Sequence, residues 1–92
     1  MDEARRSVTI VNRRGLHARA SAKFVGAVAA LPAGISVTVS KAPNSAAGGS
    51  ILGLMMLGAA KGDVVEVAVT GENSQAVLDE LCGLIEAGFG ED

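Results

Sequence analysis

The stretch ISVTVS, residues 35–40, alternates apolar and hydroxyl side chains without interruption. This alternation places Ile35, Val37 and Val39 on one face of a β-strand and the three hydroxyl residues on the other. The stretch VVEVAVT, residues 64–70, places valine at every second position in the same way. Strands with one apolar and one polar face are typical of an antiparallel sheet that is covered on one side only. We therefore expect a sheet whose helices all lie on a single face.

The remaining predicted elements complete this layout. Apolar residues at helical spacing predict a helix on either side of the alternating strands, and a short apolar segment after a capping serine predicts a third. A polar-faced strand also needs an antiparallel neighbour, which we expect after the turn KAPN. The order β-α-β-β-α-β-α indicates an α+β fold, an open-faced two-layer sandwich in which a four-stranded antiparallel sheet carries three helices on one face. The predicted elements are a strand at Ser7–Val11, a helix at Ala18–Ala30, a strand at Ile35–Ser40, a weaker strand near Asn44–Gly48, a short helix at Ser50–Leu57, a strand at Val64–Thr70 and a helix from Ser74 to about Ala87.

The last predicted helix carries an apolar stripe. Val77, Leu81 and Leu84 recur at helical spacing and are flanked by Leu78 and Ile85. Its first turn is expected to be capped by Asn73 or Ser74. The stripe predicts that this helix packs on the apolar face of the sheet.

Length and composition suggest one domain, residues 1–92, since no change of composition marks a linker. The hydrophobic content of 49% is sufficient for a single core, which must be largely aliphatic because the only aromatic residues are two phenylalanines. Residues 1–23 contain six basic and two acidic side chains, whereas residues 63–92 contain eight acidic side chains and no base. We therefore expect a basic region near the N-terminal third and an acidic region formed by the last third.

Several classes of function are disfavoured. No apolar run reaches the roughly 20 residues of a membrane span, and the N-terminus lacks the apolar segment of a signal peptide, so we expect a cytoplasmic protein that does not enter a membrane. The single Cys82 permits no internal disulfide and is expected to be a buried filler. A net charge of −2 and the lack of stacking aromatics argue against nucleic-acid binding. One histidine and one distant cysteine do not make a metal site, so no metal or other cofactor is expected.

The sole histidine, His17, lies in NRRGLHARA, residues 12–20. If a helix begins directly after it, the first amides of that helix have no intrahelical partner and can bind an anion such as a phosphoryl group. A neutral imidazole attacks phosphorus without a separate base, and it leaves readily once its other nitrogen is protonated. Arg19 would neutralise the transferring group, and Gly15 would permit the tight turn. The alternative is that His17 is an ordinary surface or core residue, which is the more frequent role of a lone histidine.

Two motifs resemble a known family. GLHAR at residues 15–19 and GSILGLMMLGAAKGDVVEV at residues 49–67 resemble the histidine-containing phosphocarrier (HPr) proteins of the bacterial phosphoenolpyruvate phosphotransferase system. The resemblance implies that His17 accepts a phosphoryl group on Nδ1 from enzyme I and passes it to a histidine of an enzyme IIA, as a carrier rather than an enzyme with its own small-molecule substrate. Arg19 and Ala18 would stabilise the phosphoryl group. LMMLGAAKG and the ending GFGED resemble the nitrogen-related (NPr) branch, and the choice between sugar-transport and nitrogen-related branches stays open at this point.

One residue departs from the family pattern. The family usually continues with proline after the arginine, whereas this chain has Ala20. Proline is favoured in a first helical turn because its φ is preset and its missing N–H has no partner there. We expect the exchange to loosen the helix start without abolishing function.

The second motif predicts a partner surface. A two-turn helix on a sheet buries about one face, so Leu54 is assigned to the core together with Leu57, and other apolar side chains must be exposed. The resemblance places Ile51, Leu52 and Met55 on the family's docking surface. The predicted rim of that surface is basic and consists of Arg13, Arg14, Arg19 and Lys23. For Arg14 and Lys23 the alternative is an ordinary solvated surface position.

Ser50 has two compatible interpretations. It is expected to cap the short helix, and it matches the serine that HPr kinase/phosphorylase modifies in some organisms. A phosphate there would place a dianion in the apolar patch and repel acidic partners. A competing hypothesis makes the chain a non-catalytic regulatory module that binds partners through residues 51–55, switched by Ser50 phosphorylation, with His17 as a pH-sensitive contact. In either case we expect a monomer.

Overall fold

The computed structural model describes residues 2–91 and contains four strands and three α-helices in the predicted order. A short 3-10 turn, Gly88–Gly90, follows the last helix. The elements are β1 (Glu3–Thr9), α1 (Ala18–Ala29), β2 (Ser36–Lys41), β3 (Asn44–Ala47), α2 (Ile51–Met56), β4 (Val64–Thr70) and α3 (Ser74–Glu86).

The strands form one antiparallel sheet in the order β1-β4-β2-β3. In the central pair, Val37 of β2 lies opposite Val69 of β4, and Val39 lies opposite Val67. All four valines are buried. Because alternate residues point to the same face, this register gathers the apolar side chains on one face of the sheet. The α+β open-faced sandwich predicted from the alternation is therefore confirmed.

The helices cover the apolar face. α3 packs against β1 and β4, whereas α1 lies against α2 and α3. Phe24 of α1, Leu54 of α2 and Leu81 of α3 are each almost completely removed from solvent. This packing holds the start of α1 beside α2, where the two sequence motifs meet.

Three details of the prediction are wrong. Asn73 is the N-cap of α3, but its side chain makes no capping hydrogen bond. β1 spans Glu3–Thr9 rather than the predicted Ser7–Val11, because its pairing with β4 runs from Glu3 to Thr9. Arg6 is accommodated within the strand, with its guanidinium 3.4 Å from the Asp79 carboxylate on α3. On α3, Leu84 is only partly buried, whereas Leu78 is fully buried. The buried face of α3 is therefore rotated, relative to the prediction, toward Leu78 and Ile85.

Candidate functional site

The turn that leads into α1 is held from both sides. The side-chain Nδ2 of the buried Asn12 donates to the Gly15 carbonyl at 2.8 Å, and the Leu16 amide donates to the Ala59 carbonyl at 3.0 Å. Gly15 has a φ of +62°, and a Cβ there would meet the Ala59 oxygen and lie 2.9 Å from the Cα of Ala60. Only glycine fits this conformation and this close approach. The glycine of the motif is thus required by the local backbone.

His17 is the N-cap of α1, and the helix begins at Ala18 as predicted. Its Nδ1 accepts a hydrogen bond from the Arg19 backbone N–H at 3.3 Å, so the imidazole takes the capping role more often played by a serine or aspartate oxygen. Its Nε2 lies 2.9 Å from Oε2 of Glu91. With 18% of the His17 side chain and 13% of the Glu91 side chain exposed, the contact is partly shielded from water.

These two contacts assign the imidazole tautomer. A carboxylate only accepts hydrogen bonds and a backbone N–H only donates them. Nε2 of His17 must therefore carry the proton, and Nδ1 must present its lone pair to the N-terminus of α1. The nitrogen that faces the helix amides is the nucleophilic one.

Glu91 belongs to a C-terminal segment, residues 88–91, that folds back over the start of α1. Phe89 is buried, and its carbonyl accepts a hydrogen bond from Nζ of Lys23 at 2.7 Å. The hydrogen bond from His17, together with one from Asn12, holds the pKa of the Glu91 carboxyl below its usual value. The prediction missed Glu91 because its position depends on the path of the chain after α3. The one available signal was Phe89, an aromatic residue in the otherwise polar ending GFGED.

Basic side chains surround this corner of the molecule. They line a shallow cavity of about 350 Å³ that Gly90 and Glu91 close on one side. The predicted rim residues are therefore brought together beside His17, although the acidic Glu91 shares the cavity with them. The basic residues are Arg13, Arg14, Arg19 and Lys23.

α2 presents the second motif beside α1. The Ser50 Oγ accepts a hydrogen bond from the Gly53 N–H at 3.0 Å and caps the helix, as predicted. Leu52 is 66% exposed, and Ile51 and Met55 are also exposed. Met56, which the prediction did not select, is 75% exposed. We define the α2 patch as Ile51, Leu52, Met55 and Met56.

Leu54 and Leu57 are both buried, in agreement with their predicted place in the core.

Other features of the described chain lie outside this corner. A cavity of about 580 Å³ is lined by residues such as Leu31, Glu72 and Val77 at the far end of α1, and no predicted site residue borders it. Cys82 is buried, and burial raises the pKa of its thiol, which agrees with a structural role. Within residues 2–91, no group of three or more acidic, histidine or cysteine side chains is arranged to hold a metal ion. No helix in that range is long and apolar enough to cross a bilayer.

Comparisons with known proteins agree in pointing to one family. Residues 4–87 match the family model described as the PTS HPr component phosphorylation site. The chain is 44% identical over 87 residues to the phosphocarrier protein HPr of Pseudomonas putida, covering 94% of each chain. It is 36% identical over 91 residues to the phosphocarrier protein NPr of Shewanella violacea, covering 99% of this chain and 98% of that one. A crystal structure of HPr from Thermoanaerobacter tengcongensis superposes with a TM-score of 0.86 at 34% identity, covering 100% of this chain and 99% of the other.

Proposed function

The chain belongs to the HPr family of the phosphotransferase system, and on that premise we propose that His17 is its phosphoryl carrier. Nδ1 of His17 takes the phosphoryl group from phosphorylated enzyme I and passes it to a histidine of an enzyme IIA, in the cytoplasm. The observation that carries the proposal is the orientation of the ring, which directs the Nδ1 lone pair at the N-terminus of α1 beside a basic cavity.

The proposed transfer follows from this geometry. The Nδ1 lone pair attacks phosphorus while the P–N bond to the donor histidine breaks and its electron pair returns to the donor imidazole. When Nδ1 attacks, its hydrogen bond from the Arg19 amide breaks. The Arg19 and Ala18 amides then donate to the phosphoryl oxygens. The Arg19 guanidinium neutralises the charge spread over those oxygens. The onward step to enzyme IIA runs the same chemistry in reverse.

The proposed docking surface is the α2 patch together with the nearby basic side chains, Lys23 among them. Flexible methionine and aliphatic side chains suit a carrier that binds several partners. Lys23 is held by the Phe89 carbonyl, so its charge has a defined position at the rim. Partners of matching shape would present an apolar surface bordered by acidic residues.

Ser50 is the proposed regulatory residue. Its hydroxyl lies at the start of the α2 patch, so an HPr kinase/phosphorylase would introduce a dianion where partners dock. The charge is compatible with the fold because it sits at a helix N-terminus, but it opposes the binding of acidic partners.

Phosphorylation of the purified protein by phosphoenolpyruvate and enzyme I tests the proposal. We expect one phosphoryl group that is labile in acid and stable in base, and that is absent from the His17→Ala variant. The Gln75→Ala variant, which changes an exposed position on α3, serves as the matched control and should be phosphorylated normally. A wild-type chain that takes no phosphoryl group at His17 would contradict the proposal. Parallel reactions with sugar-type and nitrogen-type enzyme I assign the branch.

A regulatory interaction module is the second candidate, and the exposed α2 patch favours it. In that case partners bind without phosphoryl transfer, and substitution of Leu52 with a polar residue abolishes binding while His17→Ala does not. The phosphorylation experiment separates the two candidates, because only the carrier forms a phosphohistidine.

A further inference from the structure

The C-terminal segment 88–91 follows a strained path to reach His17. Gly88, Phe89 and Gly90 have φ values of +64°, +58° and +75°, so three successive residues adopt the left-handed conformation. A phenylalanine in this region carries a steric penalty that the burial of its ring must outweigh. The segment lies beyond residue 87, where the match to the family model ends. The backbone therefore adopts an unfavourable conformation that delivers the Glu91 carboxylate to the candidate site.

Two hydrogen-bond donors hold the Glu91 carboxylate in place. Oε1 of Glu91 accepts from Nδ2 of Asn12 at 3.2 Å, and Oε2 lies 2.9 Å from Nε2 of His17. Asn12 is itself buried and bound to the Gly15 carbonyl, so it is a rigid support. Among the described residues that line the adjacent cavity, the charged groups other than Glu91 are basic, and they come from the turn before α1 and from α1 itself. They are Arg13, Arg14, Arg19 and Lys23.

We propose that Glu91 is a positioning residue for phosphoryl transfer, which acts through His17 by keeping the proton on Nε2 before and after Nδ1 is phosphorylated. This inference rests on the proposed function of His17. It assigns a role to a residue that lies outside the two sequence motifs.

The proton balance explains why this contact matters. When neutral His17 gains a phosphoryl group on Nδ1 and keeps its Nε2 proton, the ring becomes a phosphoimidazolium cation. The Glu91 carboxylate, 2.9 Å from Nε2, neutralises that cation. During onward transfer the Nδ1–P bond breaks and its electron pair returns to a ring that already holds the Nε2 proton, so the leaving group is neutral imidazole. A ring that had lost this proton would leave as an imidazolate and would react more slowly.

The unphosphorylated protein provides the first test. In ¹⁵N–¹H correlation spectra of the His17 imidazole, we expect wild type and Glu91→Gln to show the Nε2–H tautomer, because both side chains can accept that hydrogen bond. Glu91→Ala should show a larger fraction of the Nδ1–H tautomer, because only the Arg19 amide then favours Nε2–H. The Glu86→Gln variant, which changes an exposed carboxylate at the end of α3, should match wild type. Dominant Nδ1–H in wild type would overturn the inference.

The phosphorylated protein provides the second test. In mildly alkaline buffer, hydrolysis of phosphohistidine and transfer to enzyme IIA should both be slower in Glu91→Gln than in wild type, by roughly fivefold to tenfold, as expected when a charge-assisted hydrogen bond becomes a neutral one. Glu86→Gln should react at the wild-type rate. If the role of Glu91 were purely structural, hydrolysis would be faster in Glu91→Gln than in wild type, because a loosened C-terminal segment would admit water to the phosphoryl group.

The outcomes separate this inference from the function on which it rests. Hydrolysis in Glu91→Gln at the wild-type rate or faster, with normal phosphorylation of His17, overturns the role of Glu91 alone. A wild-type chain that accepts no phosphoryl group overturns both.

Discussion

Ala20 is the residue at which the chain departs from its family, and the structure defines what a proline there would meet. It is the third residue of α1, and its side chain is fully buried. The first hydrogen bond of the helix backbone joins the next amide, that of Ser21, to the carbonyl of the N-cap residue His17 at 2.9 Å. The Ala20 amide therefore lies in the turn where proline removes no helical hydrogen bond.

Ala20→Pro should raise the free energy of unfolding by about 0.5–1 kcal/mol, because it restricts the unfolded chain. Phosphorylation of His17 should be unchanged. Ala22→Pro is the matched control: it lies past the first turn and should lower the free energy of unfolding by about 3 kcal/mol. Urea denaturation of the three proteins measures both effects. A loss of stability in Ala20→Pro would mean that the buried site has no room for the ring, and a loss of phosphorylation would contradict the assigned helix start.

Single residues also show where prediction from sequence succeeds and where it fails. The place of His17 at a helix start could be predicted because Gly15 and the following alanine-rich run are local signals. The contact between His17 and Glu91 could not be predicted, because the two residues are 74 positions apart. Their approach depends on three successive left-handed residues, of which the two glycines carry a local signal for that conformation but Phe89 does not.

At the scale of elements, Ser50 both caps α2 and lies at the edge of the proposed docking surface. Ser50→Ala should lower the free energy of unfolding by about 1 kcal/mol because it removes the oxygen that accepts from Gly53. Ser50→Asp should keep the cap and its stability, since aspartate is an equally good capping residue. The added charge should raise the KM for this protein in phosphorylation by enzyme I by about tenfold, through repulsion of an acidic partner.

Urea denaturation and steady-state phosphorylation measure these two effects separately. Gln75→Ala again serves as a control for a surface change on another helix. Equal KM values for Ser50→Asp and wild type would remove Ser50 from the docking surface, whatever the stability shows.

The elements differ in how well their sequences define them. The sequence predicts β4 with its observed bounds, Val64–Thr70, because valine recurs at every second position. In the structure, strands pair with β4 on both sides. For β1 the sequence predicts Ser7–Val11 rather than the observed Glu3–Thr9, because Arg5 and Arg6 interrupt the apolar pattern. In the structure Arg5 lies on the open face of the sheet, 3.1 Å from the Glu66 carboxylate. This position is occupied by an ion pair, which a search for alternating apolar residues does not detect. Edge strands are less constrained by burial and therefore harder to predict.

At the scale of the whole molecule, the uneven distribution of charge is only partly preserved in three dimensions. The sequence predicts a basic region near His17 and an acidic region from the last third of the chain. The basic region forms as expected, but Glu91 of the acidic third enters it. A contact of this kind depends on the path of the chain and not on its composition, which is why the sequence does not predict that Glu91 joins the candidate site.

Two carboxylates in different parts of the fold set the expected response to acid. The Ala60 backbone N–H, at 2.9 Å, and the Lys41 ammonium, at 3.0 Å, hold the pKa of Asp63 below its ordinary value of 3.8. The hydrogen bond from His17 lowers the pKa of Glu91 from 4.5. Because both groups bind protons more weakly in the folded chain, the unfolded chain takes up protons first as the pH falls. Their contribution to stability is present above the ordinary values and is lost as the pH falls through the folded-state values.

Urea denaturation across this acidic range should therefore show a free energy of unfolding that declines below about pH 4.5, the ordinary value for a glutamate. Asp63→Asn and Glu91→Gln should each make that decline shallower, because each removes one carboxylate that must be protonated. The two effects should add, since Asp63 contacts the loop before β4 and the end of β2, whereas Glu91 contacts His17 and Asn12, and the pairs share no partner. A decline as steep in both variants as in wild type would show that other groups govern acid unfolding.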